Sequence, residues 1–235
     1  MEPEAYREMA ASEGRHWWFA GRRTILSSLI ARLSLEGKSR ILELGCGTGG
    51  NLDMLARFGE VAAMETDDAA RAIALEKSGA RFEIRPGRCP DQIPFAGQRF
   101  DLVCMFDVLE HIDEDVATLE AVRALLAPGG RALITVPAYR WMWSKHDEFL
   151  HHKRRYTAAE LEKKARAAGL AVATLSYFNT LLFPLAAAAR LLNLEGRETP
   201  PAAVNRLFRW VFSAERFVAG RVGLPFGVSL LAVLR

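Results

Sequence analysis

Three glycines at alternate positions follow a short apolar run early in the chain. The run covers residues 40–44 and is typical of a buried strand, and Gly45, Gly47 and Gly49 come directly after it. Glycine lets the backbone turn sharply and approach a ligand closely, and amides at the start of a following helix can face a polar or anionic group. Gly45, Gly47 and Gly50 also fit the G-x-G-x-x-G pattern of dinucleotide sites. The glycines therefore indicate a cofactor site, although a tight strand-to-helix turn without a ligand fits them as well.

Apolar strands alternate with helices along most of the chain. The periodicity predicts strands over 40–44, 60–64, 81–85, 100–106, 131–136, 170–177 and 228–234, and helices over 22–35, 51–58, 68–78, 113–126 and 158–168. Gly37 is expected to end the first of these helices. Such alternation is typical of a parallel sheet with helices on both faces. The stretch 178–221 departs from it as a long, mostly helical insertion, with a break between two helices at residues 199–201.

The composition supports a globular domain and argues against several classes of protein. The chain has 235 residues, of which 50% are hydrophobic, enough for one α/β domain with additions. A formal charge of +3 is too small to indicate a nucleic-acid partner. Cys46, Cys89 and Cys104 form no C-x-x-C pair, so we expect reduced thiols and no zinc cluster of cysteines. Because the N-terminus lacks the features of a signal peptide and no apolar stretch is long enough to span a membrane, we expect a cytoplasmic protein.

An acidic residue completes the cofactor pattern one strand later. Glu65 lies 20 residues after Gly45, at the end of the second predicted strand. A carboxylate there can accept hydrogen bonds from both hydroxyls of a ribose. We therefore expect an adenosine-containing ligand, and these residues fit either a nicotinamide dinucleotide or S-adenosylmethionine.

The segment Glu43-Leu-Gly-Cys-Gly-Thr-Gly49 resembles the first motif of the class I S-adenosylmethionine-dependent methyltransferases. In that family an acid two residues before the first glycine helps to orient the methionine moiety, whereas dinucleotide-binding enzymes usually have an apolar residue there. Further segments resemble later motifs of the family in the right order, at 61–65, 91–95, 100–103, 106–111 and 126–130. The resemblance covers about residues 13–177 and implies S-adenosyl-L-methionine as the cofactor.

The resemblance also implies which residues bind that cofactor. They lie in the N-terminal segment and after the predicted strands: Trp18, Arg22, Glu43, Gly45, Cys46, Gly47, Gly49, Glu65, Thr66, Cys89, Asp91, Phe106 and Asp107. One position departs from the family pattern. Many relatives have an acid directly after the glycine that ends the third strand, where it binds the adenine amino group, but here Gly87 is followed by Arg88. We therefore expect backbone groups near Cys89, or Asp91, to replace that contact.

Taken together, the pattern and the resemblance predict an α/β fold. We expect a Rossmann-like, seven-stranded, mostly parallel sheet with helices on both faces and a helical C-terminal cap. The expected units are an N-terminal helical lid over 1–36, a cofactor-binding core over 37–177, a helical substrate cap or insertion over 178–221, and a final strand of the core sheet over 222–235.

The segment His16-Trp-Trp-Phe-Ala-Gly-Arg-Arg23 is unusually aromatic and basic, and similar segments occur in a bacterial branch of these methyltransferases. One interpretation is a helix that is anchored by buried tryptophans. The other is a lid over the cofactor, in which Trp18 makes contact and Arg22 lies near a carboxylate.

Four residues are candidates for deprotonating an acceptor, namely His111, His146, His152 and Tyr156. Histidine suits this task because its pKa lies near neutrality. For His111 a structural hydrogen bond is an equal alternative, and residues 154–157 fit the ordering of a loop and the cap of the next helix. Although several histidines and an aspartate occur over 146–152, the helical H-E-x-x-H spacing is missing, so we expect no metal.

The sequence leaves the acceptor open. We expect methylation of an oxygen or carbon atom on a small-molecule or lipid-linked acceptor, because neither an N-P-P-Y-type motif nor a basic stripe points to protein or nucleic acid. The tail from residue 178 is apolar and basic, which fits either a cap that packs on the sheet or a surface in peripheral contact with the inner face of a membrane. The alternatives for the whole chain are an NAD(P)-dependent oxidoreductase and a non-catalytic partner protein that binds S-adenosylmethionine.

Overall fold

The computed structural model of the chain describes residues 3–36, 38–192 and 200–235. Within these residues seven strands form one sheet: β1 (Arg40–Leu44), β2 (Glu60–Glu65), β3 (Glu83–Pro86), β4 (Phe100–Phe106), β5 (Leu126–Pro137), β6 (Val172–Phe178) and β7 (Ser229–Leu234). Their order across the sheet is β3-β2-β1-β4-β5-β7-β6. The first five strands run parallel, and β7 is antiparallel to both β5 and β6. The prediction of a seven-stranded, mostly parallel sheet is confirmed.

The helices follow the predicted positions with three differences. They are α1 (Pro3–Ser12), α2 (Trp17–Ile30), α3 (Leu52–Leu55), α4 (Asp68–Ser78), α5 (Asp115–Leu125), α6 (Lys145–Phe149), α7 (Ala158–Ala167), α8 (Phe183–Leu191) and α9 (Ala202–Ala214). The helix predicted over 22–35 begins earlier and ends at Ile30, the helix predicted over 51–58 is only four residues long, and α6 was not predicted. Gly37 and Thr199, which were predicted to break helices, lie outside the described residues.

The two faces of the sheet are covered by different helices. On one face Leu42 and Val103 pack with residues of α5 and α7, and on the other Ile41 and Leu102 pack with α2 and α9. Strand β7 is buried along its whole length, as an apolar run between two neighbouring strands should be. Helix α2 is thus an inner layer of this second core, and a lid over the carboxyl ends of the strands stays a prediction for α1 and the residues up to 16. No helix among the described residues has the length and apolar character needed to cross a bilayer.

An aromatic stack joins α2 to α9. The ring of Trp18 is parallel to Phe212 at 5.1 Å and to Phe178 at 6.1 Å, measured between ring centroids. The backbone N–H of Trp17 donates to Oδ1 of Asn205 at 2.8 Å. The helices approach so closely that a Cβ on Gly21 would lie 2.5 Å from a ring carbon of Phe212. The contacts support the interpretation of this segment as a helix anchored by its tryptophans.

The glycine turn after β1 is a left-handed backbone segment. Gly45, Gly47 and Gly49 have φ angles of +73°, +54° and +78°, which side-chain-bearing residues rarely adopt. The amides of Gly45 and Cys46 donate to the carbonyl of Met64 at 2.8 and 3.0 Å, so the turn is fastened to the end of β2. A Cβ on Gly45 would lie 2.7 Å from a methyl carbon of Val108, which follows β4. The turn therefore fills the space between the ends of three strands.

We expect Phe212→Ala to lower the free energy of unfolding by about 3–5 kcal/mol, because it removes a fully buried ring that stacks on Trp18. Leu207→Ala on the same helix is the control, since Leu207 is 54% exposed and should change stability by about 0.5 kcal/mol or less. Urea unfolding monitored by tryptophan fluorescence and circular dichroism gives both values. Equal effects of the two substitutions would show that α9 does not share the cooperative core.

We expect Gly45→Ala to destabilise the chain by more than Gly97→Ala. Both positions have positive φ, so both substitutions carry a backbone cost of about 1–2 kcal/mol. Only Gly45 has a neighbour within contact distance of the new methyl group, which adds about 1–3 kcal/mol of overpacking against Val108. Val108→Ala should remove part of this second cost in the double variant. Urea unfolding of the unsubstituted chain, Gly45→Ala, Val108→Ala and the double variant measures the coupling. Strictly additive effects would contradict the predicted clash.

Candidate active site

Glu43 is a buried carboxylate beneath the glycine turn. Its Oε1 accepts a hydrogen bond from the side-chain amide of Asn51 at 2.8 Å, and its Oε2 has no partner among the described residues. Burial raises the pKa of Glu43 to about 8, and the hydrogen bond from Asn51 only partly opposes this effect. A buried carboxyl group with one free oxygen is stabilised in its charged form by a nearby cation. The turn therefore offers a site for a positively charged ligand group.

Glu65 ties the glycine turn to the end of β2. Its Oε2 accepts from the backbone N–H of Gly47 at 2.7 Å, and its Oε1 accepts from those of Thr66 and Asp67 at 2.8 and 2.9 Å. Two carboxylate oxygens offer about four lone-pair positions, so three amides leave capacity for a further donor. The structure thus places Glu65 at the turn, as expected, and its contact with a ribose stays a prediction. Cys46 is buried in the same turn, and burial raises the pKa of its thiol well above the usual range.

The residues before α2 lie directly over the glycine turn, which the sequence did not reveal. The carboxylate of Glu13 pairs with Lys77 of α4, and a Cβ on Gly50 would come within 2.3 Å of a Glu13 oxygen. Lys77 also donates to the carbonyl of Thr48 at 3.0 Å. Tyr6 of α1 donates a hydrogen bond to Asp67, and its pKa is raised to about 12, chiefly by burial. No spacing in the sequence pairs Glu13 with Lys77, since the two are 64 residues apart.

Arg22 closes the site from the side of α2. Its guanidinium forms a salt bridge with Asp107, the first residue after β4. Asp107 has a φ of +56°, and Thr135 of β5 holds it there by donating to its Oδ1 at 3.0 Å and accepting from its backbone N–H at 3.1 Å. Phe106 is buried behind it. The predicted proximity of Arg22 to a carboxylate is therefore present in the structure, and the carboxylate is Asp107.

The structure brings most of the expected cofactor residues to one edge of the sheet. Glu43 and the three glycines, Glu65 and Asp107 lie at the adjacent carboxyl ends of β1, β2 and β4, the usual position for a ligand in an open α/β sheet. Trp18 is different, because its ring stacks on Phe178 and Phe212 against the core rather than against this edge. Its expected role as a lid contact has no support in this packing.

The segment after β3 forms a closed turn where an adenine contact was expected. Arg88 and Gln92 exchange two backbone hydrogen bonds, of 3.1 and 2.9 Å. The side chain of Cys89 points into the core, and burial raises the pKa of its thiol to about 12. Asp91 is exposed. The thiol of Cys89 is therefore not a surface group. The backbone near Cys89 and the exposed side chain of Asp91 stay the two predicted alternatives for the adenine contact.

A second polar cluster follows Asp107 directly. Glu110 is fully buried with both carboxylate oxygens lacking hydrogen-bond partners among the described residues, and burial together with nearby Asp107 raises its pKa well above the usual value. The rings of His111 and His152 meet edge to face at 4.7 Å. Burial and the neighbouring His152 lower the pKa of His111 to about 4, so its ring is neutral at physiological pH. His152 Nε2 lies 3.9 Å from Glu110 Oε1.

Asp147 and Arg155 support this cluster from behind, and neither was among the predicted site residues. His152 Nδ1 donates to Asp147 Oδ1 at 2.9 Å, and the guanidinium of Arg155 donates to both oxygens of Asp147 at 2.7 and 2.9 Å. Burial alone would raise the pKa of Asp147, but the hydrogen bonds from His152 and Arg155 hold it well below its usual value. The carboxylate therefore stays charged and fixes the orientation of the His152 ring.

The other two candidate bases lie in different surroundings. Tyr156 is buried, and its hydroxyl donates to Asp115 at 3.0 Å, which, with burial, raises its pKa well above the usual value. This phenol holds the loop after β5 against α5 and is unsuited to act as a base. His146 is exposed on α6, outside the cluster of Glu110, His111 and His152. Of the four candidates, the structure brings only His111 and His152 together.

Comparison with known proteins identifies the family. Residues 18–175 match the family model described as "Methyltransferase domain". A ubiquinone biosynthesis O-methyltransferase from Cereibacter sphaeroides is 37% identical over 107 residues, which are 43% of this chain and 42% of that protein. One from Aeromonas salmonicida is 31% identical over 160 residues, which are 60% of this chain and 66% of that protein. The chain thus spans less than two thirds of either relative.

Solved structures share the fold. An S-adenosylmethionine-dependent methyltransferase from Clostridium acetobutylicum superposes with a TM-score of 0.61 at 12% identity, covering 91% of this chain and 89% of that one. Another from Mesorhizobium loti gives a TM-score of 0.58 at 18% identity, covering 88% and 95%. At such identities the likeness concerns the fold alone. The match over residues 18–175, which carry the glycine turn, Glu65 and Asp107, shows that this chain belongs to the methyltransferase domain family.

Proposed function

We propose that this chain transfers a methyl group from S-adenosylmethionine to an oxygen atom of a small-molecule or lipid-linked acceptor. The observation that carries the proposal is Glu43, a buried carboxyl group at the glycine turn with one oxygen free of partners. Its chemistry fits a donor that carries a positive charge. S-adenosylmethionine, when bound, supplies a methyl group activated by a sulfonium.

The charge of the site argues against a dinucleotide. A pyrophosphate binds best at the N-terminus of a helix, where backbone amides and the helix dipole favour negative charge. Here the helix after the glycines, α3, is only four residues long, and Glu13, Glu43 and Glu65 surround the turn. A pyrophosphate there would meet carboxylates at close range. The NAD(P)-dependent oxidoreductase is therefore the weaker alternative.

We assign the donor to the edge formed by Glu43, Gly45–Gly49, Glu65 and Asp107, with Thr66 and the backbone near Cys89, or Asp91, on the adenosine side. Arg22 keeps Asp107 in place through their salt bridge. Transfer to a hydroxyl would require that its proton passes to a neighbouring base or to water and that its oxygen bonds to the methyl carbon, while the carbon–sulfur bond breaks with its electron pair left on sulfur. Alignment of these three atoms supplies much of the rate. His111 and His152 lie just beyond Asp107, beside the place where the acceptor would approach.

Oxygen is favoured over carbon by the names of the relatives, which are O-methyltransferases of ubiquinone biosynthesis. That activity is theirs, and it enters the proposal for this chain as support for the acceptor atom only. Retained binding of the donor without turnover over a broad panel of hydroxylated acceptors would favour the non-catalytic alternative.

A lipid-linked acceptor is supported by the surface of α9. Its outer side carries the exposed apolar residues Val204, Leu207 and Trp210, the last with 72% of its surface exposed, beside the exposed Arg206 and Arg209. Between 200 and 235 the only acidic side chain is Glu215, and it is buried against backbone amides of residues 179 and 181. An apolar stripe flanked by arginines without exposed carboxylates is suited to an anionic membrane surface. We therefore include peripheral contact with the inner face of a membrane in the proposal.

We expect the affinity for S-adenosylmethionine to rise with pH up to about pH 8 and then to level off. Glu43 is protonated below its pKa of about 8, and a cationic ligand group favours the charged form, so binding releases a proton. Between about pH 6 and pH 8 the gain is at most roughly 50-fold if the bound pKa is far lower. Isothermal titration calorimetry in buffers of different ionisation enthalpy measures both the affinity and the proton released.

Glu43→Gln is the matched control, since it keeps the shape of the side chain and removes the titration. It should bind more weakly above pH 8 and lose most of the pH dependence, while titration of the ligand's own amino group affects both chains equally. A pH dependence that is the same in Glu43→Gln would exclude Glu43 from the donor site. Tight binding of NAD without binding of S-adenosylmethionine would overturn the proposed function.

We expect the chain to co-sediment with vesicles that contain anionic phospholipid and to release them at high salt. The double variant Arg206→Gln/Arg209→Gln should bind about 30-fold more weakly, because each arginine near such a surface contributes about 1 kcal/mol. Trp210→Ala should weaken binding without changing the salt dependence. The matched control is Arg99→Gln/Arg123→Gln, which removes two exposed arginines away from α9. Equal retention of all four chains would refute membrane contact through α9 and leave its interpretation as a cap that packs on the sheet.

A further inference from the structure

The cluster after β4 is a set of metal-ligating groups that the donor site does not use. One ligand-capable atom from each of Glu110, His111 and His152 lies within 4.8 Å of the other two. Glu110 is 0% exposed, and neither of its carboxylate oxygens has a hydrogen-bond partner among the described residues. Buried polar groups in native proteins are nearly always satisfied, and a buried charge is paired or bound to a metal. Two unpartnered oxygens that face two imidazoles therefore point to a ligand between them.

Both histidines are oriented as metal-binding histidines are. His152 donates its Nδ1–H to Asp147 Oδ1 at 2.9 Å, which leaves Nε2, with its lone pair, on the side of Glu110. Asp147 in turn accepts from Arg155 and from the Ser144 backbone, so it cannot rotate away. One ring N–H of His111 donates to the backbone carbonyl of residue 151, which leaves its other nitrogen as an acceptor. Such outer hydrogen bonds are the usual means by which proteins fix the tautomer of a metal ligand.

We propose that Glu110, His111 and His152 bind a divalent transition-metal ion of the Zn²⁺ class. Two imidazoles and one carboxylate favour Zn²⁺, Co²⁺ or Fe²⁺ over Mg²⁺ and Ca²⁺, which prefer oxygen ligands alone. Bonds of about 2.0–2.2 Å place the ligand atoms of one ion roughly 3–4 Å apart, so the three side chains need to approach by about 1 Å. This proposal replaces the expectation of no metal, which rested on the missing H-E-x-x-H spacing.

The role of the ion rests on the proposed function. Glu110 lies three residues after Asp107, so the ion sits beside the donor edge of the sheet, where the acceptor must approach. Three protein ligands leave the coordination shell to be completed by water or by an oxygen of the acceptor. The ion orients and polarises that oxygen, as a bound metal does for carbonyl and hydroxyl groups. Ion binding itself requires neither donor nor acceptor.

The test is titration of the full chain, treated with a chelator and then freed of it, with Co²⁺ followed by visible absorption, and with Zn²⁺ as competitor. We expect one ion per chain and a Co²⁺ spectrum typical of nitrogen and oxygen ligands. Glu110→Gln and His152→Ala should each lower the affinity at least about 100-fold, and Asp147→Asn about 10- to 100-fold, since it acts through His152. His146→Ala removes an exposed histidine outside the cluster and should leave the affinity unchanged.

Each other result counts against the site. Failure of the unsubstituted chain to bind Co²⁺ or Zn²⁺ overturns the proposal, and so does equal affinity in all variants, which indicates surface binding only. Because Glu110→Gln is nearly isosteric, its unfolding curve verifies that a loss of affinity is not a loss of fold. Ion uptake together with absent binding of S-adenosylmethionine would reject the proposed function and leave the metal site standing. Binding of S-adenosylmethionine without ion uptake would reject the metal site and leave the proposed function standing.

Discussion

The carboxylates that meet at the ends of the parallel strands are the constraint on which this site depends. Glu13, Glu43, Glu65 and Asp107 approach one turn, and their mutual repulsion must be offset for the chain to fold there. Lys77 and Arg22 neutralise two of them, and three backbone amides satisfy Glu65. Glu43 alone is left with a buried, unpartnered oxygen. The glycine turn therefore has no positive charge beside the free oxygen of Glu43, and a cationic ligand group would supply one.

Helix α2, which carries Arg22, connects the glycine turn to the C-terminal helix α9. Trp18 of α2 stacks on Phe212 of α9, and one turn later Arg22 reaches Asp107. Helix α2 therefore contacts α9 through Trp18 and the residue that follows β4 through Arg22.

Local signals predicted the scaffold well. Helix α4 was predicted with its observed bounds, because Asp67 caps its start by accepting from two amides and Gly79 ends it in a left-handed conformation. Strand β4 was also predicted in full, since its apolar run is buried on both faces. The short α3 was overestimated, because tertiary packing cut off a segment with adequate helical periodicity. The glycines, Glu43, Glu65 and Asp107 were placed at the site because strand ends in such sheets converge.

Contacts between distant segments could not be read from the sequence. The partners Glu13 and Lys77, Trp18 and Phe212, and His111 and His152 are brought together only by the order of the strands and by the loop after β5. The sequence predicted no metal because the H-E-x-x-H spacing is missing. That spacing detects only ligands that share one helix. In this chain two of the three groups come from a single turn after β4 and the third from a loop about forty residues later.

That separation has a chemical consequence. The proposed donor site uses groups at the ends of β1 and β2, whereas the Glu110 cluster depends on the loop that Asp147 and Arg155 stabilise. Asp107 borders both, since its carboxylate pairs with Arg22 on one side and raises the pKa of Glu110 on the other. A cationic donor at the glycine turn and a divalent ion at the Glu110 cluster would therefore lie on opposite sides of Asp107, whose carboxylate is paired with Arg22.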